Sequence, residues 1–354
     1  MFLIRDAVQS DLPELKRLAK LLNTVNLPDD QEALEHVLDL AERSFSARVK
    51  SPFDREYLFV MEDTERRCLV GTSQVMARHG TRDAPHIYLD VLDEEHYSST
   101  LDRHSKHKVL RLGFNYDGGT EIGGLVLDPA YRGHPSKLGK QLSFVRFVFI
   151  AMHRRQFRDR VIAELLPPFL PDGKSALWEA LGARFTGMTY QEADILSKTN
   201  KEFIKALFPH GMIYTTLFDD DARRVIGEVG PQTKGVEKML TDIGFEPMGR
   251  VDPFDGGPHF EAVTDDLWPV AQTVSGTAVV VDDRALHDAG VTHEGLVAAR
   301  PSIKRKKGPF RALWSPFKRD DDDGILLPKK AIDALEVSAG DAVSALSFAE
   351  HSRR

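Results

Sequence analysis

The sequence predicts an α/β fold: a mixed central sheet flanked by helices, with a β-rich C-terminal subdomain. Three patterns carry that expectation. Short apolar runs such as "EIGGLVLD" (121–128) and "RVIAELLPP" (160–168) are flat enough to be strands buried on both faces. Between them lies "KLGKQLSFVRFVFIAMHRRQF", in which Leu138, Leu142, Val145, Phe149 and Met152 recur at helical spacing. From about Ala271 the character changes to short strand-like runs around one small helix, "TAVVVDDRALH" and "GILLPKKAIDALEVSAGDAVSALSF".

Taken in order, "FLIRDAV" reads as a short strand. "SDLPELKRLAKLL" is an amphipathic helix with Leu12, Leu15, Leu18, Ala19 and Leu22 on one face; Asp11 and Glu14 have capping-box spacing and Pro13 sits in the tolerated first turn. Gln31 to Phe45 is a second helix, and "YLFVMEDTERRCLVGTSQVMA" is a hairpin around a charged turn. Residues from about Arg78 to Asp117 carry many His, Asp and Ser and read as strand ends and a long loop. "KSALWEALGARF" is a helix closed by Gly182 and followed by a strand, "QEADILSKTNKEFIKALFP" gives helical pieces, and "MIYTTLF" is a strand. "KGVEKMLTDIGFEPMGRVDPF" is a helix, a Gly-Phe stop and a strand; its echo of "SALWEALGARFTGM" is read as two ordinary helix–Gly–strand joints rather than a repeat. "RPSIKRKKGPFRALWSPFKRDDDDG" has the charge blocks and prolines of an exposed, solvated loop.

Composition excludes several classes. With 354 residues and 42% hydrophobic content the chain buries a real core, in one large domain or two ordinary ones. A formal net charge of -7 argues against nucleic acid as a partner. Cys68 is the sole cysteine, so an intrachain disulfide and a Cys-based zinc site are excluded; it reads as a buried strand residue without chemistry. Charges interrupt the N-terminus, and no run approaches the roughly 20 apolar residues of a membrane span. A soluble cytoplasmic protein is expected, with no membrane partner and no metal.

Chemistry is suggested where "LVLDPAYRGHPSKLGKQL" takes a strand through a Gly/basic turn into a helix, the usual way a chain offers N–H groups and a helix dipole to a phosphate. "LVLDPAYRG" resembles the phosphate-turn entry, of the type R-x-x-G-x-G/A, of the GCN5-related N-acetyltransferase superfamily. That resemblance implies that Leu125, Val126 and Leu127 face the pantetheine arm of an acyl-CoA, and that Arg132, Gly133, Lys137, Gly139 and Lys140 face its pyrophosphate. "HPSKLGKQL" departs from the pattern: the turn is about two residues longer, and Pro135 removes one donor.

A longer string is more specific. "VIAELLPP", "DGKSALWEALGARFTGMTYQEADILS", "NKEFIKALFP", "IY", "RRVIGEVGPQT" and "DPFDGGPHFEA" resemble, in order, the arginine N-succinyltransferase family, from Met1 to about Thr264, with a weaker echo in "ILLPKKAIDALEVSAGDAVSAL". The resemblance implies a GCN5-related acyltransferase core over residues 1–265, in tandem halves of about 1–198 and 199–265, with 266–354 as the small β-rich subdomain. It implies succinyl-CoA as co-substrate with a contact at Leu125, the α-amino group of arginine as acceptor, direct attack without a covalent enzyme intermediate, and a homo- or hetero-oligomer. The family's segment V-I-G-Q-V-H-P-x-T carries a histidine taken as proton donor; here the segment is "VIGEVGPQT" and the position is Gly230.

Several residues are candidates for the proton work. Glu164 and Glu121 are carboxylates in apolar strands, a cost explained by function or by an ion pair. Tyr214 is a candidate to protonate the thiolate, or a rim tyrosine. His259, after the Gly-rich "DGGP", and His210 are candidates to replace the missing histidine, or ordinary surface or core residues. Asp252 and Asp255 suit a guanidinium or, in the leading reading, turn chemistry. The alternatives to arginine succinylation are an enzyme of the same fold with another acyl group or amine, and a non-catalytic paralogous subunit.

Overall fold

A computed structural model describes the chain except for residues 23–29, 83, 198–199, 283–285, 287–292, 301, 304–305, 308 and 349–354. In chain order the main elements begin with β1 (Phe2–Asp6), α1 (Leu12–Leu22), α2 (Gln31–Phe45), β2 (Glu56–Asp63), β3 (Cys68–Met76), β4 (His86–Ser98) and β5 (Arg103–Asn115). They continue with β6 (Thr120–Leu127), α3 (Leu138–Met152), β7 (Arg160–Glu164), β8 (Ile213–Tyr214), β9 (Glu246–Val251) and β10 (Pro258–Val263). The last strands are β11 (Val274–Val281), β12 (His293–Ala299), β13 (Ser302–Ile303), β14 (Lys306–Lys307), β15 (Arg311–Arg319), β16 (Gly324–Pro328) and β17 (Ala342–Ser347). The chain divides into two compact units. Among the described residues no helix is long and apolar enough to cross a membrane.

The first unit comprises Met1–Ala77, Thr120–Asp159 and Thr264–Arg354. Its strands run in the order β12-β17-β11-β16-β15-β1-β2-β3-β6. The predicted apolar face of α1 is buried: Leu15, Leu18 and Ala19 pack with Leu34, Leu38 and Ala41 of α2 over Leu58, Val60 and Leu69. Asp30 caps α2 by accepting from the Ala33 N–H at 2.8 Å. Asp11 accepts instead from the Val8 N–H and from both terminal nitrogens of Arg5. The middle of α3 is buried on every side, as its lack of a polar face requires.

The C-terminal residues do not stand apart as a unit of their own. β15 pairs antiparallel with β1, Leu3 opposite Leu313, so the last strands extend the sheet of the N-terminal residues. β15 lies inside the stretch expected to be a solvated loop, and Leu313, Ser315 and Phe317 alternate inward along it. That period of two was hidden by the lysine, arginine and aspartate runs on either side.

The second unit comprises Arg78–Gly119 and Arg160–Val263, with strand order β7-β10-β9-β4-β5-β8. It is built from two inserted stretches, not from the linear cut near 198 expected from the sequence. The expected loop between Arg78 and Asp117 is a long hairpin: β4 and β5 pair without interruption from His86↔Asn115 to Ser98↔Arg103. Only its inner half, with Ile87, Leu89, Val109 and Leu110 buried, carries an apolar signal; the outer half is exposed, so polar residues dominate its pattern.

Gly182 does not close a helix. Trp178–Gly182 forms a π-type turn, continued by a short helix (Ala183–Thr186) and then by Tyr190–Ser197, with no strand between. A Cβ at Gly182 would lie 2.3 Å from the Trp178 ring, so the glycine makes room for the indole. Trp178 stacks on Phe254, centroids 5.1 Å apart, and its indole N–H donates to the Met188 carbonyl at 2.9 Å. The other joint does lead from a helix (Lys234–Asp242) to a strand, β9, so the two echoing stretches take different courses.

Candidate active site

In the second unit, β10 runs antiparallel to β7 with His259 opposite Glu164. The turn that feeds β10 is locked by its own acids. The Asp252 Oδ1 atom accepts from the Phe254 N–H (2.7 Å) and the Asp255 N–H (3.2 Å), and the Asp255 Oδ1 atom accepts from the Gly257 N–H (2.7 Å). Gly256 has φ +84, and a Cβ on Gly257 would meet the Leu165 carbonyl at 2.3 Å, so side chains are unwelcome at both positions. Turn chemistry is thus what Asp252 and Asp255 visibly do.

His86, the first residue of β4, joins this pair. Its Nε2 atom lies 3.0 Å from Glu164 Oε1, and the Nε2 atom of His259 lies 3.5 Å from the same oxygen. The imidazoles of His86 and His259 stack with centroids 5.1 Å apart and planes 26° apart; His79 meets His86 edge-on at 4.2 Å. The side chains of His86 and His259 are 4% and 1% exposed, whereas that of Glu164 is 29% exposed. Among the three groups at the shared oxygen, the carboxylate is therefore the one partly open to solvent. The ligating atoms of His79, His86 and Glu164, and those of Glu164, Asp252 and His259, lie within 4.8 Å of one another, a spacing at which a metal ion could also be held.

The carboxyls of this unit are pushed apart in acidity. Burial would raise the Glu164 carboxyl, but His259, the hydrogen bond from His86, and His79 hold it well below the ordinary range. Burial, then the charge of Glu164, pushes Asp252 up to about 7; burial and Asp252 together push Asp255 well above its usual value. At neutral pH Glu164 is the ionised member and the turn acids are not fully charged.

Other candidates lie elsewhere. Tyr214 is on β8, its hydroxyl donating to Glu94 and 3.2 Å from His96 Nε2, and its ring against His107; its partners do not include Glu164 or His259. His210 is exposed ahead of β8. Glu121, in the first unit, stands on β6 opposite Met76, on the half-exposed face with Gly123, Leu125 and Leu127. Cys68 is half-buried at the start of β3, its Sγ 3.8 Å from the Tyr131 hydroxyl. His79 and His86 were missed in the sequence, because the hairpin they introduce was read as a loop.

The proposed CoA turn lies in the first unit. The register between β3 and β6 shifts between Thr72↔Val126 and Gln74↔Gly123, so Gly124 and Leu125 fall outside the paired register, with the Gly124 carbonyl accepting from the Thr72 hydroxyl at 2.9 Å. The backbone there is thus freed from the ladder at the position where the resemblance puts the acyl-CoA contact. Val126 is buried, whereas Leu127 is half-buried. Beyond β6 the chain forms one short turn (Pro129–Tyr131), Gly133 takes φ +73, and Lys137 takes a left-handed conformation immediately before α3. Leu138 and Gly139 supply the first N–H groups of α3. Arg132, Gly133 and Lys137 are exposed; the Lys140 ammonium lies over the rings of Phe144 and Phe348, 5.3 and 4.4 Å from their centroids. A Cβ on Gly139 would make only ordinary contact with Leu127, 3.8 Å away. Gly139→Glu is therefore expected to fold and to weaken CoA binding, because it puts an anion at a helix N-terminus. Calorimetric titration with CoA checks this; unchanged affinity would remove the turn from the binding site.

Residues 2–268 match the family described as arginine N-succinyltransferase beta subunit, and residues 303–347 match the C-terminal domain of that subunit. The chain belongs to the arginine N-succinyltransferase family. An arginine N-succinyltransferase of Yersinia pestis (strain Pestoides F) is 34% identical over 358 residues, covering 100% of each chain. Arginine N-succinyltransferase subunit beta of Pseudomonas aeruginosa is 35% identical over 274 residues, 77% of this chain and 79% of its own. The solved structure of arginine/ornithine succinyltransferase subunit AI from Pseudomonas aeruginosa aligns over 98% of each chain with a TM-score of 0.82 and 28% identity.

At Gly230, where the sequence resemblance led to the expectation of a histidine, the packing is informative. Its N–H donates to the Leu166 carbonyl at 2.8 Å, and a Cβ there would lie 2.6 Å from the Pro167 carbonyl oxygen and 2.9 Å from that of Leu166. Both obstacles are backbone, so a histidine does not fit at this position without moving the chain that leaves β7. Gly230→Ala is expected to lower stability by about 1–3 kcal/mol through overpacking, read as a fall in Tm. An unchanged Tm would show that this segment yields freely.

Proposed function

We propose that this member of the arginine N-succinyltransferase family moves the succinyl group of succinyl-CoA to the α-amino group of arginine, with the Glu164–His259–His86 cluster doing the proton work that the family's histidine does elsewhere. The observation that carries the reading is the shared oxygen: two buried imidazoles converge on one partly exposed carboxylate. The names of the relatives support the substrates. The fold is read as GCN5-related, and the protein as a cytoplasmic enzyme that works as a homo- or hetero-oligomer.

The steps follow from the groups. The ammonium of arginine pairs with the Glu164 carboxylate and loses a proton, which comes to rest on an imidazole of the cluster; the carboxylate then faces an imidazolium, which it stabilises. The freed nitrogen lone pair attacks the thioester carbonyl and forms a C–N bond. The tetrahedral intermediate collapses with cleavage of the C–S bond, the second N–H proton passes to solvent, and CoA leaves as a thiolate. With an ordinary thiol pKa of roughly 8.5, that thiolate leaves tolerably at neutral pH and is protonated by solvent. Holding the two substrates together supplies much of the remaining barrier reduction. Glu164 is the catalytic residue, while His259 and His86 act through it.

Mass analysis of the product, with fragmentation to place the acyl group, tests the reading. Arginine carrying one succinyl group on its α-nitrogen is expected. An acyl group on another nitrogen, or only on amines other than arginine, would overturn it in favour of a changed acceptor.

A further inference from the structure

α3 buries a cation that has no anionic partner among the described residues. Arg146 is 2% exposed, in the middle of a helix whose neighbours Phe144, Val145, Phe147 and Val148 are fully buried. Its hydrogen-bond partners are all neutral oxygens: Nε donates to the Ser143 carbonyl at 3.0 Å, Nη1 to the Gly123 carbonyl at 3.2 Å and Nη2 to the Ser143 hydroxyl at 2.8 Å. Among the described residues no carboxylate pairs with it. Burial pulls its pKa down to about 9, so it keeps its charge at neutral pH. A guanidinium in such a place is costly unless a counter-charge arrives. Of its five N–H groups three are engaged, which leaves one on each terminal nitrogen, the pair that grips a carboxylate in bidentate fashion.

The position of Arg146 says which carboxylate. α3 runs back along β6: Gly139, at its start, faces Leu127, and Arg146, two turns on, bonds Gly123. The shift that frees Gly124 and Leu125 lies between them. A co-substrate whose pyrophosphate sits at the start of α3 and whose arm follows β6 past Leu125 brings its acyl end towards Gly123. The terminal carboxylate is what distinguishes a succinyl group from an uncharged acyl chain of the same length.

We propose that Arg146 receives the free carboxylate of the acyl group and thereby selects succinyl-CoA over uncharged acyl-CoAs. This rests on the acyl-CoA reading of the turn and deepens it. A buried cation built to pair with an anion discriminates strongly against a substrate that leaves it bare.

The test compares kcat/KM for succinyl-CoA and butyryl-CoA, four-carbon chains that differ in the terminal carboxylate, with arginine as acceptor. In the native protein succinyl-CoA is preferred. In Arg146→Met the value for succinyl-CoA falls by at least about 100-fold while that for butyryl-CoA is kept or rises. An equal fall for both acyl-CoAs would assign Arg146 a packing role only and overturn the proposal. If the methionine variant does not fold, the native protein decides: succinyl-CoA should raise Tm more than the same concentration of butyryl-CoA, and equal shifts overturn the proposal. The failures are separable. A native protein that prefers succinyl-CoA in binding yet never acylates arginine upholds Arg146 and removes the acceptor; one that uses both acyl-CoAs equally well upholds transfer and removes Arg146.

Discussion

Glu164→Gln lowers kcat by about 10²–10⁴-fold, the usual worth of a positioned acid–base group, and leaves the KM for succinyl-CoA little changed. The substitution keeps the shape of the side chain and removes the charge. Three consequences follow at once: the acceptor's ammonium loses its counter-ion, the proton loses its way to the imidazoles, and the resulting imidazolium loses the carboxylate 3.0–3.5 Å away. The pyrophosphate turn at the start of α3 is untouched, so the loss falls on kcat and on the handling of arginine. Steady-state kinetics with each substrate varied in turn checks this. A variant with native kcat would return Glu164 to a purely structural role, a buried anion satisfied by two histidines.

His259→Gln gives the second large effect, and its signature is in the pH profile. The cluster binds its proton as one unit, because two imidazoles share a single carboxylate oxygen with Glu164. Removing His259 takes away the imidazole paired with Glu164 across the strands, and with it the first of the charges that hold the Glu164 carboxyl below its ordinary range against the effect of burial. The Glu164 carboxyl then rises, so the ionised form that the reaction needs is lost at a higher pH and the acidic limb of kcat moves up. Loss of one of the two imidazoles that take the proton also slows the reaction, so kcat at the plateau falls by about 10-fold or more. His86 keeps some of the function, which makes this loss smaller than that for Glu164. A merely structural role for His259 would lower activity without moving the limb. The sign for stability follows separately. Glu164 is held well below its ordinary range, so its pairing stabilises the fold above the usual glutamate pKa and is lost as the medium becomes acidic; the activity limb and any acid unfolding must be measured apart.

Much of this was legible in the sequence, for physical reasons that vary from element to element. α1, α2 and α3 declare themselves by an apolar stripe or a mostly apolar run, and the structure ends α2 at the residue expected, Phe45. β6 and β7 were plain because both faces are apolar. Glu164 stood out as a carboxylate in such a strand, and His259 as a histidine after a Gly-rich turn, yet nothing in the spacing joined them. Their pairing is a property of register, 95 residues apart in the chain, and of a turn whose acids bond their own backbone. His79 and His86 were invisible because the hairpin they introduce has only one apolar half. β15 was hidden between runs of charge. Gly182 was misread because a glycine at the end of an apolar run looks like a stop, whereas here it gives space to Trp178. A glycine where the resemblance led to the expectation of a histidine was visible at Gly230, but the reason a histidine cannot simply be placed there is the pair of carbonyls of Leu166 and Pro167.

The central claim is that this chain transfers succinyl groups although the position expected to hold a histidine is Gly230, because Glu164 and its histidines do the proton work. Release of free CoA thiol from succinyl-CoA and arginine by the native protein, followed across pH in the presence of a chelator, tests it most directly. The account predicts steady, arginine-dependent release with an acidic limb that moves to higher pH in His259→Gln. A folded protein that releases no CoA above the uncatalysed rate at any pH, with arginine and succinyl-CoA both in excess, would contradict it.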